Sequence, residues 1–186
     1  MHSRTVSTRF APTGSSRQVG EASKVGKGAK VKAVCAFRHA DRLLVIENVE
    51  RDTGQPTCKL PGGTVELGET TYNCVVREIR EELGAEIRNV DRLGVIEYVF
   101  QTNGQLRHQI VFVYQATFDD PCYYAAGSLR VHEGKKELTA SWKPVGEFCD
   151  GKTLLRPQGL LNLLGDGVNI TGEGGPLQHK IWRRER

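Results

Sequence analysis

No apolar run in this sequence approaches the roughly 18–20 residues that a membrane-spanning helix needs, and the N-terminus lacks the apolar segment of a secretory signal. The cysteines also form no recognisable pattern: the five are widely spaced and include no C-x-x-C pair (Cys35, Cys58, Cys74, Cys122 and Cys149). This spacing argues against a disulfide framework or a cysteine-based zinc site and favours reduced thiols. Together these absences predict a cytoplasmic protein with no membrane association.

The composition is that of one globular domain with charged ends. A chain of 186 residues, 38% hydrophobic and 26% charged, is long enough for one core and short for two domains. The net charge of +4 is concentrated at the termini, where residues 1–29 hold five arginines and lysines against one acid and residues 180–186 hold four against one. We predict a basic, flexible N-terminal extension (1–29), a folded domain (30–165) and a Gly-rich, basic C-terminal tail (166–186).

The basic extension leaves two further interpretations open. A run of arginines and lysines is suited to nucleic acid or to an acidic partner. The first twenty residues also contain no acid and several Ser and Arg residues, which is typical of an organelle transit peptide. A solvated tail is the interpretation we favour, because the segment has few apolar residues to bury.

Hydrophobic periodicity predicts several strands and one dominant helix. Apolar residues alternate or form short runs over 31–37, 43–46, 90–100, 109–118 and 138–145, which we interpret as strands. The strongest helix covers 70–83, with a threonine cap at its start and Gly84 at its end. A short helix is predicted over 158–164, whereas 122–137 and the chain after Gly165 have no regular pattern. This order predicts an α/β fold with a mixed β-sheet between helices.

Three acids stand together near the end of the central helix, at Glu78, Glu81 and Glu82. At about 100° per residue they fall within an arc of about 100° that faces away from the apolar stripe (Tyr72, Val75, Val76, Ile79 and Leu83). Like charges one turn apart repel each other, and acids near a helix C-terminus oppose the helix dipole. A divalent cation would remove the conflict, since Mg²⁺ and Mn²⁺ prefer oxygen ligands. Taken alone, the helix leaves a solvated acidic surface as the alternative.

The residues before this helix extend the pattern into a longer motif. Gly63 is followed after five residues by Glu69, and after seven more by the run R-E-I-R-E-E-L-G-A that begins at Arg77. The spacing resembles the Nudix box of MutT-like hydrolases, G-x5-E-x7-R-E-U-x-E-E-x-G-U, in which U is a bulky aliphatic residue. Its seven fixed letters match by accident on the order of once in 10⁸–10⁹ positions. Ala85 departs from the pattern, because it is smaller than the usual aliphatic residue.

The resemblance implies a fold, a cofactor and a reaction. The fold would be a Nudix-type α/β/α sandwich with a mixed β-sheet between helices, and the cofactor Mg²⁺ or Mn²⁺. The implied metal ligands are three glutamates and one main-chain carbonyl (Glu78, Glu81, Glu82 and Gly62). Glu69 would support this cluster, and Arg77 would hold a carboxylate in place by a charge-assisted pair. Water would attack phosphorus and hydrolyse the pyrophosphate bond of a nucleoside diphosphate linked to another moiety.

The resemblance implies a general base that is either a glutamate outside the motif or one of the motif's own glutamates. The irregular stretch after Cys122 offers Glu133 and Glu137, and we choose Glu137 because it lies shortly before Trp142. The alternative is that both are surface acids beside Lys135 and Lys136.

Substrate-binding residues are harder to assign from sequence. His108 begins a strand and is a candidate for phosphate, while Tyr98 and Phe100 alternate on one strand and are candidates for stacking on a base. The alternative for His108 is an ordinary surface or partly buried histidine, and the alternative for the two aromatic residues is packing in the core or the sheet. Sub-signatures for ADP-ribose and coenzyme A substrates are missing, which leaves nucleoside triphosphates, nucleotide sugars and dinucleotides as small-molecule substrates.

Two other functions remain as alternatives. A catalytically silent Nudix-fold sensor or binding module would keep the fold and lose box glutamates, whereas all four are present here (Glu69, Glu78, Glu81 and Glu82). An RNA 5′-end pyrophosphohydrolase would use the basic termini to hold RNA, which we consider the less favoured partner. A homodimer is left open.

Overall fold

Two β-sheets organise the computed structural model, which describes residues 28–50, 53–151, 153–165 and 178–183. In the first sheet the strand order is β11-β6-β7-β1-β5, formed by Gln178–Arg183, Ile87–Thr102, Gln105–Phe118, Lys30–Ala36 and Gly62–Thr64. β1 runs parallel to β7 and antiparallel to β5, and β6 and β7 form a long antiparallel hairpin. The sheet is therefore mixed, as expected from the sequence.

The second sheet lies along the strand order β10-β4-β3-β9-β8, with a short β2 paired to β3. Its strands are Leu154–Arg156, Pro56–Lys59, Arg42–Val49, Lys136–Pro144, Ser128–Glu133 and Arg38–His39. β3 pairs antiparallel with both β4 and β9, while β10 joins β4 in parallel. β4 leads directly into β5, so the chain crosses from one sheet to the other at Leu60 and Pro61.

The central helix, α1, spans Thr71–Leu83 and has both of the caps expected from its sequence. The Thr70 side chain accepts a hydrogen bond from the backbone N–H of Asn73 at 3.1 Å. Gly84 ends the helix in the left-handed conformation at φ 66°, and its N–H donates to the carbonyl of Arg80. These end contacts fix where the helix begins and stops, and thereby fix the positions of its acids.

One face of α1 packs into the core, although not with the full predicted stripe. Val75, Ile79 and Leu83 are buried, but Tyr72 is 50% exposed and Cys74 fills the buried position beside it. This core lies between α1 and side chains of both sheets, among them Phe118. A second core contains residues of α3, which spans Leu160–Leu164. The predicted α/β fold, with mixed sheets and helices packed against them, is confirmed.

Two segments predicted to be irregular carry regular structure. The 122–137 stretch contains the short helix α2 (Cys122–Ala125), strand β8 (Ser128–Glu133) and the start of β9. Within the predicted loose C-terminal tail, Gln178–Arg183 forms a strand that pairs in parallel with β6. The basic extension at 1–27 lies outside the described residues, as does the rest of the tail at 166–177 and 184–186.

No helix among the described residues is long and apolar enough to cross a membrane.

Candidate active site

Two glycines begin β5, directly after the connection between the two sheets, and they let backbone and carboxylates approach each other closely. Gly62 has a φ of 125°, and a side chain there would collide with the β1 backbone at Ala33. A methyl group on Gly63 would occupy the space of the Glu78 carboxylate. Two glycines therefore let β5 approach β1 on one side and α1 on the other.

Arg77 is the centre of the acidic cluster. Its Nε and Nη2 donate to the two carboxylate oxygens of Glu69 at 2.8 and 2.9 Å, a two-point ion pair. Its Nη1 donates to Glu78 at 3.1 Å and to Glu81 at 3.0 Å. The guanidinium holds the pKa of Glu69 down at about 2, mainly through these hydrogen bonds. One arginine thus ties together three of the four box glutamates.

Glu82 is buried, which corrects the expectation that all three helix acids face outward. Its side chain is only 3% exposed and accepts a hydrogen bond from the Gly62 N–H at 2.8 Å. Burial raises the Glu82 pKa to about 7, and the hydrogen bond and the nearby charge of Lys59 oppose this rise. A buried carboxylate with one backbone donor is a site where additional positive charge would be stabilising.

The glutamates of α1 differ in exposure, but their donor atoms are of the kind that a hard cation binds. Glu81 is 58% exposed at its side chain and Glu78 only 16%. In the described part of the chain, no three acidic, histidine or cysteine side chains are already arranged to hold a metal. Arg77 contacts an oxygen of both Glu78 and Glu81 in this arrangement. The donor set nevertheless fits a hard cation: it consists of carboxylates, and a glycine leaves room for one of them.

A cleft of about 390 Å³ opens beside the cluster and meets it at Gly62. Its walls come from β1, β3, β4, β6, β7, β8, β9 and β10, and they include polar and aromatic side chains (Lys32, Lys59, Glu133, Arg156, Tyr98 and Phe100). This volume lies within the roughly 300–1,000 Å³ typical of small-molecule sites. Gly62 thus links the cleft to Glu82, and we treat the cleft and the acidic cluster together as the candidate site.

The structure brings some predicted site residues into this cleft and leaves others outside it. Tyr98 and Phe100 both line it, and their rings stack at 4.7 Å and 20°. His108 is not among the lining residues and contacts Glu97 at 2.8 Å.

The two candidate bases on the β8–β9 hairpin are separated in the same way. Glu133 lines the cleft, and Lys59 donates to it at 2.6 Å. Glu137 lies outside the lining, with its carboxylate 59% exposed and 3.4 Å from Arg130. The choice of Glu137 over Glu133 is therefore not favoured by the geometry.

Several basic residues of the cleft were not found by sequence reasoning, among them Lys32, Lys59 and Arg156. Lys32 interrupts the apolar face of β1, and Lys59 stands three residues before Gly62. Arg156, on β10, donates to Glu50 at 3.0 Å. A charged residue on an otherwise buried strand is the signal that would have indicated Lys32. No local pattern indicates the other two, because distant strands bring them together.

The α/β fold and the arginine-centred glutamate cluster beside Gly62 agree with the match of this chain to a known family of domains. Residues 28–156 match the NUDIX domain family. The chain belongs to the Nudix family, which confirms the resemblance to MutT-like hydrolases.

Similar proteins include two bacterial ones. The chain is 31% identical over 121 residues to a Mycobacterium tuberculosis protein named as the mutator protein MutT4, covering 65% of this chain and 46% of that protein. It is 29% identical over 146 residues to a Yersinia pestis protein named NAD-capped RNA hydrolase NudC, covering 77% and 49%. The chain thus spans less than half the length of these curated relatives.

A solved structure of a NUDIX hydrolase from Nitrosomonas europaea has the same fold. It matches with a TM-score of 0.53 over 74% of this chain and 86% of that one, at 20% identity. At this identity the likeness concerns the fold alone.

Proposed function

We propose that this protein hydrolyses the pyrophosphate bond of a nucleoside diphosphate linked to another moiety, with Mg²⁺ or Mn²⁺ as cofactor. The observation that supports this most is the junction at Gly62, where a cleft lined by lysines meets a cluster of glutamates. Lysines suit the phosphate oxygens, and carboxylates suit the cation that such reactions use. A nucleoside triphosphate, a nucleotide sugar and a dinucleotide all carry the required bond.

In this proposal the glutamates of α1 hold the cation. Glu78, Glu81 and Glu82 would provide carboxylate oxygens, and Gly62 its main-chain carbonyl. When bound, the cation neutralises phosphate charge and lowers the pKa of a water molecule. The raised pKa of Glu82 fits this role, because a buried carboxylate is stabilised in its ionised form by a neighbouring positive charge.

Arg77 and Glu69 act as positioning residues. The two-point pair between them fixes the guanidinium, whose remaining nitrogen reaches Glu78 and Glu81. Outer contacts of this kind orient carboxylates and are worth about 10–100-fold in metal affinity or activity.

Glu133 is the general base that we propose, in place of Glu137. It lies on the cleft wall, whereas Glu137 lies outside the cleft and pairs with Arg130. The Glu133 carboxylate would take a proton from water as the new O–P bond forms and the P–O bond to the leaving phosphate breaks. The leaving oxygen departs with the bonding electrons, and a nucleoside monophosphate and a second phosphorylated product result.

Tyr98 and Phe100 would receive the nucleoside. Their stacked rings line the cleft from β6, and Tyr98 is almost fully buried. A rigid aromatic wall offers a face for a base at little entropic cost.

A turnover panel tests the function. Nucleoside triphosphates, nucleotide sugars, ADP-ribose, NAD and dinucleoside polyphosphates are each incubated with Mg²⁺ or Mn²⁺, and product phosphates are quantified. We expect cleavage of at least one class, lost about 100-fold or more in Glu82→Gln. Glu86→Gln is the matched control: it removes an acid four residues away that pairs with Arg80 instead of Arg77. No turnover of any compound would contradict the proposal and favour the silent sensor.

NAD-capped RNA is a second candidate substrate. The Yersinia relative is named for hydrolysing it, and NAD itself contains a pyrophosphate between two nucleosides. Including a short NAD-capped RNA beside free NAD in the panel separates the two. A higher kcat/KM for the capped RNA than for NAD supports the RNA substrate, and equal values support the free dinucleotide.

A further inference from the structure

A short ion pair crosses the wall of the cleft. Lys59 at the end of β4 donates through Nζ to the Glu133 carboxylate at the end of β8, at 2.6 Å. Both side chains line the cleft, and both are partly exposed, at 27% and 43%. A partly exposed ion pair contributes little to stability, so its exchange for another partner costs little. The pair is therefore well placed to respond to an incoming anion.

Lys32 stands in the same cleft without such a partner. Its side chain is half-buried, and among the described residues it makes neither a hydrogen bond nor an ion pair. Burial lowers the Lys32 pKa, as does the charge of Lys59, while Glu133, Glu82 and Glu78 oppose the change. A half-buried ammonium without a partner is unfavourable, and an anion in the cleft would supply what it lacks.

We propose that the Lys59–Glu133 ion pair is a latch that the substrate's diphosphate opens. Lys59 leaves Glu133 and, together with Lys32, holds the phosphate oxygens, which frees the Glu133 carboxylate to act on water. Binding of the diphosphate is thus coupled to release of the Glu133 carboxylate from Lys59. This inference rests on the function proposed above, which supplies the diphosphate substrate and the role of Glu133.

The charges around Glu133 give the latch a chemical consequence. Burial raises the pKa of Glu133, but the Lys59 hydrogen bond and the charges of Lys59, Lys32 and Lys136 outweigh it, so the pKa is lowered overall. Removing Lys59 from the carboxylate makes Glu133 more basic. The free protein therefore holds the base in a less reactive state, and the substrate's own phosphates relieve it.

Pyrophosphate in the presence of EDTA is the probe that tests anion binding by Lys59 and Lys32 without catalysis. Isothermal titration with the full-length protein measures its Kd. We expect Lys59→Met and Lys32→Met each to weaken binding about tenfold, as loss of one charge-assisted contact does. Glu133→Gln should tighten binding about threefold, because the competing carboxylate is gone. The same Glu133→Gln protein should lose about 100-fold in kcat on the substrate that the panel identifies.

Another Lys–Glu pair of this sheet provides matched controls. Lys143 contacts Glu47 at 3.0 Å between β9 and β3, and neither residue lines the cleft. Lys143→Met and Glu47→Gln should leave the pyrophosphate Kd unchanged. Thermal unfolding of each variant verifies that the proteins compared are folded.

The direction in which Glu133→Gln changes the pyrophosphate Kd decides whether the latch exists. Unchanged or weaker pyrophosphate binding in Glu133→Gln would overturn the latch. Unchanged binding in Lys59→Met would also overturn it, as would a failure of the unaltered protein to bind pyrophosphate. If substrate is turned over in these cases, the function stands and the latch alone falls. If Glu133→Gln binds pyrophosphate more tightly but no panel substrate is turned over, the competition between Glu133 and the anion for Lys59 is supported and the proposed hydrolysis is contradicted.

Discussion

Gly62 and Glu82 are twenty residues apart in sequence and joined by a 2.8 Å hydrogen bond from the glycine N–H to the buried carboxylate. The glycine leads β5 out of the turn, and the glutamate lies near the end of α1. This contact attaches the helix to the turn by a group that would otherwise prefer water. Its strength depends on the charge of Glu82, and so on pH.

Metal-free protein should lose stability as Glu82 ionises. Its pKa in the folded state is raised to about 7 from the ordinary 4.5, so the neutral acid is compatible with folding below pH 4.5. Stability is lost as the pH rises from there through 7, by about 3 kcal/mol. Glu82→Gln lacks this titration. We expect its stability relative to the unaltered protein to increase by that amount between pH 4.5 and pH 8, measured by urea unfolding in EDTA.

The control for this pH experiment is Glu86→Gln. Arg80 lowers the pKa of Glu86 through its hydrogen bonds, so removing this acid should act with the opposite sign, costing stability at high pH. Mg²⁺ added at pH 8 should stabilise the unaltered protein more than Glu82→Gln. A stability difference between Glu82→Gln and the unaltered protein that is constant with pH would contradict the burial argument.

Arg77→Lys should reduce turnover by about 10–100-fold. Lysine offers one ammonium and lacks the planar fork that contacts both oxygens of Glu69 and also reaches Glu78 and Glu81. Mn²⁺ affinity, followed by the electron paramagnetic resonance signal of free Mn²⁺, should fall in parallel with kcat/KM.

Arg80→Lys is the comparison for this substitution. Arg80 lies on the same helix and makes a two-point pair with Glu86 at 2.6 and 2.7 Å, outside the cluster. Equal losses of Mn²⁺ affinity in the two variants would show that the cluster has no special dependence on Arg77.

Local signals were sufficient to predict α1 and the box. The helix has a regular apolar spacing, a threonine cap and a terminal glycine, each of which acts within a few residues. β8 was missed because its alternation is short: only Leu129 and Val131 of its six residues are apolar. That strand exists because β9 pairs with it along its whole length.

The only part of the site that could be predicted is the part encoded by the continuous motif from Gly63 to Ala85. The prediction that Glu82 faces outward was wrong. The spacing along the helix shows which residues point away from the apolar stripe, but it does not show that Gly62 covers Glu82 on that side. Lys59 and Glu133 are separated by 74 residues and meet only after both sheets form. No local sequence pattern indicates that these two residues meet, so their pairing in the cleft could not be predicted.

Gly63→Ala should impair activity far more than folding. Gly63 has an ordinary backbone conformation, and the three atoms nearest to the added methyl group all belong to the carboxylate of Glu78, the movable end of a long side chain. We expect the carboxylate to swing away, with about a tenfold or greater loss of kcat/KM and a change in Tm of a few degrees at most, on the order of 1 kcal/mol. Gly127→Ala, where a methyl group meets nothing within 4 Å, should be silent in both measurements. A collapse of Tm in Gly63→Ala would show that the turn itself cannot accept the methyl group.

Phe100→Ala should weaken binding of the nucleoside part of the substrate without affecting its phosphates. Phe100 stacks on Tyr98 at 4.7 Å in the cleft wall and belongs to β6, whereas Glu78, Glu81 and Glu82 belong to α1. Loss of one stacked ring should raise KM about tenfold, at roughly 1–1.5 kcal/mol, while kcat changes little. The pyrophosphate Kd in EDTA should be unaffected, because pyrophosphate has no base to stack. Tyr72→Ala removes a half-exposed aromatic from α1 and should change neither quantity. If Phe100→Ala lowered kcat and weakened pyrophosphate binding together, the aromatic wall would instead support the shape of the whole cleft.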